Sequence, residues 1–334
     1  MAERAIEPLV APADDHSVAF LKRNALVDQA GVSFREFRRE LTPRYGVVWS
    51  HLAFGYAALV IVGVAVVVSA PVAPAWLRVT VGALLIGFAQ AFIQLFLHEA
   101  AHYNFAPGRE RNDRLANVFV GALHGLEIGA YRLVHFEHHR RLGTTMDSER
   151  SYFDPLNMRF FAEALLGVKG LRVLSRRSGI VARSADPAGA ASSTGPARRQ
   201  KIAAALIHIA VVAAAVAARQ YALALAWALG TLSVMPLFVS LRQLLEHRSE
   251  EADSHVNYAR VDHGAVNRLF GDGPIASTLG GAGFNRHLLH HWEPQISYTR
   301  LRDVERYLLR TDAAERVRER QSTYLETFWA LITW

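Results

Sequence analysis

Histidine is the residue type whose number and spacing in this chain point to chemistry. Fifteen occur in 334 residues, and there is no cysteine. Three tight clusters hold eight of them. The first, His98-Glu99-Ala100-Ala101-His102, puts two imidazoles four residues apart, on one helical face and about one turn from each other. That geometry suits joint ligation of one metal ion or of two adjacent ones. Alone, the HExxH pattern is also the signature of a zinc protease whose glutamate is the general base. The second and third clusters, His135-Phe136-Glu137-His138-His139 and His287-Leu288-Leu289-His290-His291, both read HxxHH. Positions i, i+3 and i+4 share one side of a helix. The adjacent pair is splayed by about 100°, so one cluster can feed two neighbouring ions. A protease-type zinc needs three protein ligands and keeps one position open. Eight imidazoles exceed that need; they suit a dinuclear centre, and imidazole suits iron among the candidate metals. The missing cysteines exclude disulfides, thiolate zinc sites, cysteine-ligated iron–sulfur clusters and cysteine nucleophiles.

The elements that position these clusters are apolar helices. Four runs carry no Asp, Glu, Lys or Arg: between Arg44 and Arg78, from Val79 to His98, from Ile202 to Ala218, and from Gln220 to Leu241. An apolar stretch of about 18 residues or more crosses the ~30 Å hydrocarbon core as a helix. The runs pair as two hairpins, turning at Pro71–Pro74 and near Arg219–Tyr221, so an all-α integral membrane protein with four transmembrane helices is expected. Lys and Arg number seven up to Arg44, sixteen from Glu99 to Lys201 and twelve from Arg242 onward, with almost none in the two turns. That is the positive-inside pattern. It puts both termini and the central segment in the cytoplasm, most simply beneath a bacterial inner membrane, and accounts for the net charge of +7 without nucleic acid. No signal peptide is read at the N-terminus.

The expected organisation is a cytoplasmic segment over 1–46, with a short amphipathic stretch near Val32–Leu41, and a first hairpin over 47–97. Residues 98–200 form a cap segment with the first two clusters, a helix near Arg159–Leu174 lying in the interface plane or on an ordinary surface, and a flexible linker over 178–200. The second hairpin covers 201–241. Residues 242–334 complete the cytoplasmic cap with the third cluster and a C-terminal helix from Asp312 to Trp334. Two hairpins that begin and end inside put all three clusters on one face of the membrane. The last apolar run continues into Leu241-Arg242-Gln243-Leu244-Leu245-Glu246-His247. His247 therefore emerges at about the depth of His98, as a ninth candidate ligand, with Gln243 one turn earlier able to hold a metal-bound water. Glu99, Glu137 and Glu246 are expected to orient histidines through their free ring N–H groups. His51, His124 and His208 are read as structural, and His255 and His263 as loop residues away from the metals.

HEAAH, HFEHHRRLGTTMD, LRQLLEH and FNRHLLHHWEP, in this order and with these gaps, resemble the boxes of the membrane fatty acid desaturase and hydroxylase superfamily over about residues 45–310. The resemblance implies four transmembrane helices under a cytosolic cap that holds two iron ions. Matched one by one, the implied ligands are His98, His102, His135, His138, His139, His247, His287, His290 and His291. The family often carries Asn where Gln243 stands, and Asn285 matches a residue common before the third box. The resemblance further implies an O2-dependent desaturase acting on an acyl-lipid, acyl-CoA or acyl-carrier-protein substrate. No flavin, nicotinamide or haem-binding pattern is present, so electrons would come from a separate donor, a ferredoxin or cytochrome b5 with its reductase. Arg109, Arg111, Arg140 and Arg141 are suited to docking such a partner. A hydroxylase, or a desaturase of a specialised metabolite, would use the same centre; an intramembrane zinc protease would use HEAAH alone. A metal transporter would place its ligands inside the helices, whereas here they lie at helix ends.

Overall fold

The computed structural model describes residues 23–172, residue 175 and residues 187–333. Among these residues the regular structure is helical, and extended backbone pairs only as isolated bridges. A short helix α1 (Phe34–Arg39) opens with a capping box between Ser33 and Glu36. The first long helix, α2 (Tyr45–Val68), ends before Pro71, and α3 (Ala75–Ala101) starts directly after Pro74. At about 1.5 Å per residue, the 27 residues of α3 outrun a ~30 Å apolar layer by two turns.

Next come α4 (Arg109–Ala116) and α5 (Ile128–Arg141), with α6 (Met158–Leu165) beyond them. The third long helix, α7 (Pro187–Ala217), and the fourth, α8 (Tyr221–His247), follow. After these the chain forms α9 (Pro274–Leu279), α10 (His287–Trp292), α11 (Tyr298–Leu308), α12 (Ala314–Glu319) and α13 (Tyr324–Leu331). Four helices are thus long and apolar enough to cross a membrane, as expected. Their outward faces carry Phe54, Val60, Ile61, Val64, Leu206, Ile209 and Leu232, each more than half exposed. Apolar surface on that scale fits lipid better than water, consistent with a membrane protein.

Helix α3 is the centre of the group. More than half of its most apolar stretch is buried, against 6% for that of α7. Gly55 of α2 lies against Phe92 and Ile93 of α3, while Val66 lies against Gly82, so the two helices run antiparallel. On another side Gly87 of α3 meets Gly230 and Val234 of α8. There α8 widens into a π-helical turn over Gly230–Val234, and Gln90 of α3 donates a 3.0 Å hydrogen bond to Thr231. Two further cores pack beside the long helices, the second taking in the end of α8. One joins Leu26 and Phe34 to α10, α11 and α12; the other joins Tyr152, Phe160, Leu244, Phe270 and Tyr324.

Three local expectations need correction. Of the linker expected over 178–200, residues 178–186 lie outside the described residues, and the chain is helical from Pro187 onward. Alanine is the best helix former and Pro187 stands in the first turn, where proline is tolerated; Pro196 lies inside the helix, which continues through it from the apolar half. The expected C-terminal helix is two, α12 and α13, because Ser322 pairs with Leu269 and Thr323 starts a new capping box with Glu326. The helix expected from Arg159 is shorter than read. It runs Met158–Leu165, breaks at Gly167, whose φ is +74°, and resumes over 168–172, while Leu174 lies outside the described residues.

Candidate metal centre

Nine histidines converge from four helix segments. His98 sits in the last turn of α3 and His102 caps its C-terminus. His135, His138 and His139 lie on α5, His247 ends α8, and His287, His290 and His291 lie on α10. They form two groups: His98, His102, His135, His139 and His290 in one, and His138, His247, His287 and His291 in the other. Within each, one ligand atom per residue lies within 4.8 Å of all the rest. The HxxHH spacing explains the division. In box two the i and i+4 residues face the first group and the i+3 residue the second; in box three the assignment is reversed.

The ring nitrogens are closer than hydrogen bonding among them can explain. In the first group Nε2 of His135 is 2.9 Å from both His102 Nε2 and His139 Nε2, and His139 Nε2 is 3.0 Å from His290 Nε2. In the second, Nε2 of His247 is 3.2 Å from His138 Nε2 and 3.0 Å from His287 Nε2, which lies 3.1 Å from His291 Nε2. Each Nε2 is either a donor or an acceptor, so a nitrogen with two such neighbours cannot serve a whole chain of protons. Separations near 3 Å are what lone pairs give when they converge on a cation about 2.1 Å away at right angles. Both ring nitrogens of His98 are buried without a hydrogen-bond partner. The donor set therefore fits a pair of imidazole-bound metal ions.

Protonation favours the same reading. Burial pushes the pKa of His102 down to about 3 and those of His135, His139, His287, His290 and His291 well below the ordinary histidine range. These rings are neutral and their lone pairs are available. His138 differs: burial disfavours its charged form, but the Asp147 carboxylate more than offsets this and raises its pKa. Asp147 is buried, with Oδ1 and Oδ2 2.9 and 3.1 Å from His138 Nδ1. It also accepts hydrogen bonds from the Tyr152 hydroxyl and from the backbone N–H of Glu149 at 2.8 Å. A proton held on Nδ1 by this carboxylate leaves Nε2 as the metal-facing lone pair.

Sequence reasoning missed Asp147 and Tyr152. The available signal was the aspartate ending HFEHHRRLGTTMD, which the turn over 142–147 folds back onto box two. Neither Gln243 nor Asn285 belongs to a histidine group. The Gln243 amide donates to Glu149 at 2.9 Å, and the Asn285 amide donates to Gly271 O at 2.7 Å. The three glutamates do not orient histidines either. Glu99 accepts from Ser297 Oγ at 3.1 Å and from Tyr298 N at 3.3 Å, and Glu137 pairs with Arg140 and Arg141. The nearest histidine nitrogen to Glu246 is His287 Nε2 at 4.0 Å, beyond hydrogen-bond reach.

Among the described residues, the remaining histidines join neither group. Both ring nitrogens of His124 face carbonyls, of Val120 and Gln90. His208 bridges Leu123 O and Trp227 Nε1, and His51 meets the Tyr298 hydroxyl. His255 is exposed, and His263 is buried among Tyr152, Phe153 and Tyr258.

A comparison with curated proteins gives no match. A comparison with family models matches residues 74–323 to the fatty acid desaturase family. The match takes in three-quarters of the chain and all nine converging histidines, in agreement with the motif resemblance. The chain belongs to the fatty acid desaturase family.

Proposed function

We propose that the chain is an O2-dependent di-iron desaturase that introduces a double bond into the acyl chain of a lipid or thioester, on the cytoplasmic side of the bacterial inner membrane. Family membership implies an oxidoreductase of the desaturase or hydroxylase kind. The observation that carries the finer reading is the division of boxes two and three between two histidine groups. One centre alone has no use for that division.

His98, His102, His135, His139 and His290 would hold one iron, and His138, His247, His287 and His291 the other. Bound iron supplies O2 activation and removal of hydrogen from an unactivated C–H bond. The protein's part is to orient its imidazoles and exclude water. Asp147 fixes the His138 tautomer, and Tyr152 fixes Asp147. The Phe284 ring lies 4.5 Å from that of His98 and 5.0 Å from that of His287, with the Arg242 guanidinium 3.7 Å from its centroid. Phe284 would help to keep water from that side of the centre.

A protease reading is disfavoured by Glu99, whose carboxylate is engaged by Ser297 and Tyr298 and not turned toward a metal-bound water. Reducing equivalents would reach the centre from a separate ferredoxin or cytochrome b5. His139 and His291 are the two ligands not fully buried, and they share one edge with ring centroids 4.3 Å apart. Expression in a host of defined lipids, with mass spectrometry of the acyl chains, tests the reaction. An acyl product lighter by two hydrogens is expected; a product heavier by one oxygen makes the chain a hydroxylase. Metal analysis is expected to find two irons per chain, and one zinc with no iron would overturn the centre.

A further inference from the structure

The third box is gripped from outside the region matched to the family. Residues 23–41 precede the match at 74, yet they pack on α10 and the chain just after it. Glu293, the residue that caps α10, has a side chain only 4% exposed and takes two ion pairs from this segment. Arg23 Nε lies 3.2 Å from one carboxylate oxygen and Arg38 Nη2 lies 2.9 Å from the other. Arg23 also donates to the carbonyl of Trp292. Between the two arginines in sequence, Phe34 is buried with its ring 4.7 Å from Trp292 and 5.7 Å from Tyr307. Trp292 and Glu293 directly follow His291, so the contacts act at the exit of the box.

We infer that residues 23–41 are a strap, and Arg23, Phe34, Arg38 and Glu293 positioning residues, that hold His287 and His291 in place for the second iron of the proposed centre. The inference rests on that di-iron reading. Its specificity comes from the division of the boxes. Box three supplies two of the four histidines in the second group but only one of the five in the first. A loosened α10 therefore takes away half the ligands of one ion and a fifth of those of the other. The two arginines are about half exposed, so their removal leaves no cavity, while it strips a buried carboxylate of its partners.

The test counts iron in the full-length protein in lipid nanodiscs during challenge with a ferrous chelator. Wild type is compared with Arg23→Ala/Arg38→Ala, with Phe34→Ala, and with Arg38→Lys as the conservative variant. In the double variant and in Phe34→Ala, one of the two irons should leave about tenfold faster or more, as for other lost supports of metal ligands. The other iron should leave at the wild-type rate with helical content unchanged, and Arg38→Lys should recover most of the retention. Two irons leaving at wild-type rates from the double variant would overturn the strap alone. Both irons lost together with helicity would also overturn it, by showing a general folding role. A wild-type chain that binds no iron would overturn the di-iron reading and the strap with it.

Discussion

Asp147 receives the His138 Nδ1 proton at one oxygen and the Tyr152 hydroxyl at the other, and Tyr152 is itself held by the Gly143 N–H at 2.8 Å. Replacing the carboxylate leaves His138 free to take either tautomer and to rotate in its buried setting. Removal of such an outer partner generally weakens metal binding about 10- to 100-fold. Asp147→Ala is expected to fall in that range in a chelator competition, and Asp147→Asn less, because the amide oxygen still accepts from Nδ1. Equal iron affinity in Asp147→Ala and wild type would show that His138 needs no orienting partner. This residue also marks a limit of reading the chain alone. The nine histidines are visible because imidazole type and helical spacing together encode a direction. Asp147 encodes none, since a carboxylate nine residues beyond His138 acts on it only after the intervening turn has formed. Gln243 is the reverse case: its position was visible, but one extra methylene and the presence of Glu149 decide where its amide goes.

The same contrast holds for elements. Long apolar runs announce the four long helices, because within lipid only a helix satisfies every backbone group. Their closest approach was not visible. A Cβ on Gly87 would lie 2.6 Å from Val234 Cβ and 2.8 Å from the Gly230 carbonyl, and one on Gly230 would lie 2.8 Å from Ile86 and 3.0 Å from the Ala83 carbonyl. Backbone atoms cannot yield as a flexible side chain can, so α3 and α8 are in contact through their glycines. Forcing a methyl into such packing costs about 1–3 kcal/mol. Gly87→Ala should therefore lower the melting temperature in detergent. Because α3 and α8 end in His98 and His247, a wider spacing should lower iron content as well. Gly46→Ala is the control, with open space around its added carbon; equal melting of the two variants would mean that the helices separate freely. The segment from Pro187 to Gln200 was misread for a related reason. Its Ala, Gly, Ser and Pro have no apolar face, and it is helical by continuity with the apolar run that begins at Ile202.

At the scale of the whole molecule, histidines as far apart as His139 and His290 meet with two long apolar helices between them in the chain. An even number of crossings allows that, and counting apolar runs is enough to foresee it. What the count does not reveal is the electrostatic cost of the meeting. His102, His135, His139, His287, His290 and His291 all have folded-state pKa values below the ordinary histidine value, because burial penalises the charged ring. A depressed pKa means that the unfolded chain takes up protons below about pH 6.5 while the folded chain does not, so stability present above that value is lost as pH falls. Each such group costs up to about 1.4 kcal/mol per pH unit, and six together can exhaust a stability of about 5–15 kcal/mol within two units. His138 works against this, because its raised pKa adds stability on the acid side. Metal-free protein should therefore lose its tertiary structure between about pH 6.5 and pH 4.5, followed by tryptophan fluorescence in detergent. Bound iron holds the rings deprotonated and should move the transition to lower pH. If stripped protein is as stable at pH 5 as at pH 7.5, burial of the imidazoles carries no such penalty, and the depressed pKa values on which the neutral ligand set depends are wrong.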